Sequence, residues 1–399
     1  MSVNPGLLER KKDYYRVNLT QRLPPGTDSI DQFEAHPRQP RPPAVPKRPV
    51  PEWPPESERK GKWISAYLDQ LDPETEYDQI IRTANFFTGT SFAVALGYSS
   101  TFVHLAQTPA AAAAVNHGGK AYRRGHQRFY DTQNHFLDWM WYGSGSEETK
   151  QDIERVNKIH SAIWKNVPGS YSHPWEGQMS VIGSAYFETY LRRLVGARRQ
   201  EPHPHLAAAW PAWAERVCAH FRTEPTDGSR SYGINFPRNG TELGEFYRWF
   251  QDLPFEEYTN AEDRKKGHQL AEAFLDQFSK LWFPRQFRWL GRQVMLTVLP
   301  AKVREQQQVG HPIPIVEAVV KLAFKLSFDM TDIMPDPVKP ALLDEYRAVK
   351  GWDRHKIDVR VEKEWRRRSH TMDILLTVFM VVCAACFLMR GHPSSCSGE

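Results

Sequence analysis

The chain has 399 residues, 40 % of them hydrophobic and 12 % aromatic, enough to bury a sizeable core. Its net charge of +5 is spread with both signs mixed along the chain, so no basic stripe points to nucleic acid as a partner. Four cysteines, Cys218, Cys383, Cys386 and Cys396, form no disulfide framework and suit a reducing compartment.

The first residues carry no apolar core of the kind a secretory signal needs. Residues 36–55, HPRQPRPPAVPKRPVPEWPP, are nearly half proline. Proline excludes helix and interior strand, so this stretch reads as an extended arm or linker, a plain spacer before a PxxP ligand. Ordered structure is expected from about Trp63. Residues 1–62 are therefore an N-terminal extension, and 63–345 are the main domain.

Through that domain the apolar residues recur at helical spacing. Examples are Ile80, Ile81, Ala84 and Phe87; Phe129, Phe136, Leu137, Met140 and Trp141; and Ile153, Val156, Ile159, Ile163 and Trp164. HLAQTPAAAAAVNHGG brackets a short alanine-rich helix between Pro109 and the glycine pair. GSAYFETYLRRLVGA reads as a helix that stops at Gly196, QLAEAFLDQFSKLWF as one that stops at Pro284, and PIVEAVVKLAFKLSF as one that follows prolines. There is no run of alternating strands, no repeat, and no G-x-G-x-x-G, P-loop or G-x-S-x-G. The expected fold class is all-α.

Residues 346–370 are basic, and 374–389, ILLTVFMVVCAACFLM, hold 16 residues without a charge. Such a helix is about 24 Å long, short for a typical bilayer but adequate for a thinner one. A transmembrane anchor is expected at 371–390, followed by a short tail at 391–399. Arg360, Lys363, Arg366, Arg367 and Arg368 precede the run and Arg390 follows it, so the positive-inside rule leaves the globular part in the cytosol. The sequons at Asn18 and Asn239 are then unused. Cys383 and Cys386 form C-x-x-C inside the apolar run, where small apolar-tolerant residues are the simpler reading.

Two stretches carry the functional question. RFYDTQNHFLDWMWYG places Arg128 and Thr132 four apart on one helix face, with His135 and Phe136 continuing it and Asp131 beside it. A guanidinium among aromatics needs a partner, which can be a protein carboxylate or the carboxylate of a cofactor. RVNKIHSAI places His160 on the face of Val156, Ile163 and Trp164, where an imidazole is either a hydrogen-bonded core histidine or a ligand. The remaining histidines form no zinc signature, and a centre with one strong histidine plus a cofactor suits haem.

RFYDT, a helix ending in WYG, and NKIH with Thr132 and His160 28 positions apart together resemble the ER-bound oxygenase mpaB and rubber oxygenase (latex-clearing protein) catalytic domain family. PAAAAAVNHGGKAYRRGHQRFYDT, YSHPWEGQMSVIGSAYFETYL and WLGRQVMLTVLPAKVRE extend the resemblance over roughly residues 80–340. The resemblance implies a globin-like helical fold holding haem b, with His160 as the proximal iron ligand and Arg128 and Thr132 as the polar pair near the haem. It implies a haem-dependent oxygenase that brings O2 to a lipophilic prenyl, polyketide or terpenoid-type substrate, with C=C cleavage as one form of the reaction. The fungal members fit best: they act at the endoplasmic reticulum membrane in secondary metabolism. The glutamate base of rubber-cleaving members falls at Ala110–Ala114 here, so it has no counterpart. No reductase-like nucleotide-binding motif is present, and any electron donor would be a partner. The competing readings are a tail-anchored helical scaffold without catalysis and a carrier of lipophilic ligands without haem.

Overall fold

The computed structural model describes residues 38–363, apart from 44, 47, 227 and 253–259. The expected anchor at 371–390 and tail at 391–399 lie outside the described residues, as does Asn18. The described chain is helical, with one isolated antiparallel bridge between Arg222 and Ser231. Among the described residues no helix is long and apolar enough to cross a membrane.

The helices begin and end where local chemistry requires. α1 (Trp63–Leu68) and α2 (Tyr77–Thr88) lead into α3 (Ser91–Leu105), whose N-terminus is capped by the Thr90 hydroxyl accepting from the Ala93 amide. α4 (Pro109–His117) starts with a Thr108 cap and proline at its first turn, and Gly119 leaves it at φ +59°. After the single turn α5 (Lys120–Arg123), α6 (Gly125–Tyr142) ends at Gly143, and Ser146 caps α7 (Glu147–Asn166). Glu147 and Glu148 sit in the first turn of α7 and Lys165 in its last, each favourable to the helix dipole.

α8 (Pro174–Ala185) and α9 (Phe187–Val195) replace the single helix expected up to Gly196. The stop at Gly196 holds, with φ +65°, but Tyr186 breaks the run. Its buried ring lies tilted by 48° against Tyr247 at 5.4 Å and presses on Gly244, a tertiary contact that local spacing does not encode. The remaining helices are α10 (Pro204–His220), α11 (Gly240–Asp252), α12 (Ala261–Trp282), α13 (Arg288–Val298), α14 (Ala301–Gln307), α15 (Pro314–Ile333) and α16 (Ala341–Lys350).

Two apolar clusters fill the body. One joins α1, α2, α8, α10, α11 and α16 with the second half of α6. The other joins α3, α9, α12, α13 and the Phe129 end of α6. Val94, Phe102 and Tyr190 are partly buried against both, so α3, α6 and α9 border the seam between them. α4 packs on α12 on one side and on α7 on the other.

Two boundaries differ from expectation. The body does not close at residue 345, because α16 crosses that position and Tyr346, Ile357 and Val361 are buried. Nor is the proline-rich segment a free spacer. Arg38 exchanges hydrogen bonds with Asn235, and the Arg41 guanidinium bonds the buried Glu215 carboxylate at 2.7 Å. Trp53 donates to the Thr83 hydroxyl at 2.8 Å and its ring meets Phe87 edge-on. An extended chain without helical potential gains order here from arginine and tryptophan anchors on the body.

Candidate functional site

Arg128 and Thr132 do share the face of α6 that looks toward α3. The Arg128 guanidinium donates to the Tyr98 hydroxyl at 2.5 Å. It lies 4.3 Å from the Phe102 ring centroid, 5.2 Å from Phe274 and 6.0 Å from Tyr98. Among the described residues no carboxylate pairs with it, so a protein ion pair is replaced by an aromatic cage. Cation–π attraction contributes about 1–2 kcal/mol where the cation is desolvated. Burial pushes the Tyr98 hydroxyl pKa up against the opposing effects of Arg128 and the nearby Thr132 hydroxyl.

Asp131, one residue from that face, is occupied elsewhere. It pairs with Lys120 and, at 2.6 Å, with Arg354, tying α6 to α5 and to the turn after α16. His135 is likewise engaged elsewhere. Its Nδ1 lies 2.7 Å from Asp152 on α7, whose carboxylate also accepts from the Trp139 indole at 2.8 Å and from Arg155 at 2.9 Å. Burial raises the Asp152 pKa, but the His135 hydrogen bond and charge, with Trp139 and Arg155, outweigh it and leave the carboxyl below its ordinary value. Asp152 is thus a clamp between α6 and α7.

His160 lies two turns further along α7. Its ring stacks on Tyr171 at 3.8 Å and 10°, and beyond it lies Phe221 at 6.1 Å and 24°. Phe221 in turn stacks on Tyr232 at 5.6 Å and 11°. Tyr232 fits because Gly177 on α8 has no side chain: a Cβ there would meet the tyrosine ring at 2.0 Å. Tyr171 is held at φ +56°, an unusual conformation for a residue with a Cβ.

The His160 residue keeps some exposed surface, but its Nδ1 is enclosed and has no hydrogen-bond partner. Burial, assisted by the charge of His135, lowers its pKa to about 3 from an ordinary 6.5. The imidazole is therefore neutral at physiological pH, the form that ligates a metal. Burial raises the Tyr171 pKa to about 12, and the Arg128 charge is the strongest influence opposing it.

Among the described residues, no group of three or more His, Cys, Asp or Glu could hold a bare metal ion. A single neutral histidine suits a metal that arrives with its own ligands. One neutral histidine and one arginine without a carboxylate are the donor types that a haem would use. The alanine helix α4, with Ala111 and Ala113 partly exposed, packs beside the His160 helix. A separate cavity of about 230 Å3 is lined by Gln107, Asp263, Gly267, Lys302 and Gln307; neither Arg128, Thr132 nor His160 lines it.

Sequence reasoning singled out Arg128, Thr132 and His160 but missed Tyr98, Tyr171 and Asp152. Tyr98 is an unremarkable position in an apolar helix, and Tyr171 sits in an irregular loop. Only the His135/Asp152 spacing across a short loop could have hinted at the clamp. No family model matches the chain, and no curated protein matches it.

Proposed function

We propose that the protein is a membrane-tethered, haem b-dependent oxygenase with a globin-like helical fold, acting on a lipophilic substrate. It is tethered to the endoplasmic reticulum membrane through residues 371–390, with the helical body in the cytosol. The reading rests on His160, a neutral imidazole with an enclosed, unpartnered Nδ1, and on Arg128, which lacks a carboxylate and whose charge acts on Tyr171, the ring stacked on His160.

When bound, the haem supplies the activation of O2 for transfer to the substrate. His160 holds the group and orients it, with Tyr171 and Phe221 fixing the plane of the imidazole. Arg128 binds a carboxylate in a low-dielectric setting where its charge is little screened. Its fork is held by the Tyr98 hydroxyl and the three rings. Thr132, next to the same hydroxyl, adds a polar contact at that edge. The Tyr98 and Tyr171 hydroxyls keep their protons at neutral pH and can donate hydrogen bonds. Phe102, Phe136 and Phe274 supply apolar surface for a lipophilic chain and keep water out. The Ala110–Ala114 segment offers no base, so proton transfer by a carboxylate at that helix is not part of the scheme.

The test is the absorption spectrum of the full chain, produced with haem precursor and purified in detergent. A Soret band with one haem per chain is the expected result. A folded, colourless protein that takes up no added haem overturns the proposal and leaves the carrier and scaffold readings.

A further inference from the structure

α15 is apolar on two sides. Val316, Val320, Phe324 and Phe328 face inward and pack on the cluster to which α9 and α13 contribute. Ile315, Val319, Leu322, Leu326, Met330 and Ile333 face outward and are 55, 36, 52, 51, 51 and 70 % exposed. Their spacings of three and four return to the same side at every turn, so they form one stripe about 27 Å long. Large apolar side chains scattered singly over a surface need no explanation, but a contiguous run marks a contact.

The stripe cannot belong to a spanning helix. Glu317, Lys321, Lys325, Asp329 and Asp332 share α15, and among the described residues no helix is apolar enough to cross a bilayer. These charges are used within the body: Lys321 pairs with Glu317, Lys325 with Asp329, and Asp332 with Arg192. A helix with one flank charged and one face apolar is suited to lie in a membrane interface.

Three observations favour lipid over a second copy. The stripe is one helix wide and offers on the order of 500 Å2, below the roughly 800 Å2 per partner of a stable protein interface. Trp289, 45 % exposed, stands four residues before Gln293 on α13, and Gln293 accepts from the Ile313 amide at the start of the stripe. An exposed indole beside an apolar stripe fits the boundary between headgroups and acyl chains. The neighbour of Trp289, Arg288, pairs at 3.4 Å with Glu362. The described chain therefore ends beside this surface, eleven residues before the charge-free run at 374–389.

We propose that the outward face of α15, together with Trp289, is an interfacial lipid-binding surface on which the helical body rests. This does not depend on the oxygenase reading; its third observation rests on the membrane reading of 374–389. The test uses the full chain in vesicles of phosphatidylcholine and phosphatidylserine, with Cys383→Ser, Cys386→Ser and Cys396→Ser and the buried Cys218 retained. An environment-sensitive fluorophore is attached through Leu326→Cys, through Leu322→Cys, and, as a control, through Glu148→Cys at the exposed start of α7. The expected result is a blue shift at 322 and 326, with emission lost to nitroxide lipids labelled near the headgroup, while 148 is unaffected. Water-like emission at 322 and 326 overturns the proposal. So does a blue shift that nitroxide lipids do not quench, which would mean that protein, either the chain's own apolar run or a second copy, covers the stripe.

Discussion

The fold treats the polar groups of Arg128 on α6 and His160 on α7 in opposite ways. Arg128 is held by a tyrosine hydroxyl and three rings. His160 is fixed just as firmly by stacked rings, but its enclosed nitrogen is left unpaired. An unpaired buried polar atom costs about 1–3 kcal/mol. Both ring nitrogens of His104 and the Nδ1 of His126 share this state with His160.

That contrast can be broken from either side. The largest expected effect is Gly177→Ala, which drives a Cβ into Tyr232 and disturbs the ring row behind His160. A loss of about 3 kcal/mol or more is expected in denaturant unfolding, together with loss of haem uptake. Arg128→Ala empties the aromatic cage and should cost about 1–3 kcal/mol in the same measurement. Unchanged stability there would mean that the cage does not hold the guanidinium.

Asp152→Asn should cost about 1–2 kcal/mol by weakening the clamp between α6 and α7. Because the folded Asp152 pKa lies below the unfolded 3.8, its contribution is full above that value and is lost as pH falls through the folded pKa. The wild-type advantage over Asp152→Asn should therefore shrink only in acid, which a denaturation series across pH checks.

His160→Phe has the smallest expected effect and the opposite sign. It removes the orphan nitrogen while keeping a stacking ring, so the haem-free protein should be unchanged or stabilised by about 1 kcal/mol. The folded pKa of about 3 means that the unfolded chain takes up the His160 proton first, so stability falls as pH drops from 6.5 toward 3. His160→Phe should flatten part of that slope. The remainder belongs to other buried histidines such as His104, also lowered to about 3 by burial.

Much of the fold was legible because it is written locally. Thr108 and Pro109 start α4, Ser146 starts α7 and Gly196 ends α9 through chemistry confined to a turn or two. The Tyr186 break, the docking of the proline-rich segment on Glu215 and Asn235, and the extension of the body past 345 depend on distant partners, which periodicity does not report. The same division runs through the site. The i, i+4 pairing of Arg128 and Thr132 was visible, but what holds Arg128 was not, because Tyr98 and Phe274 come from α3 and α12. The asymmetry at His160 is a three-dimensional fact: its partner Tyr171 lies in a loop, and the absence of a hydrogen bond at Nδ1 has no sequence signature.

His160 is proposed as the ligand that holds the haem. The most direct measurement compares the visible spectra of the full-length wild type, His160→Gly, and His160→Gly supplied with free imidazole. A Soret band in the wild type, its loss in His160→Gly, and its return when imidazole occupies the vacated space are the expected result. A His160→Gly protein that keeps the wild-type spectrum without imidazole would contradict it.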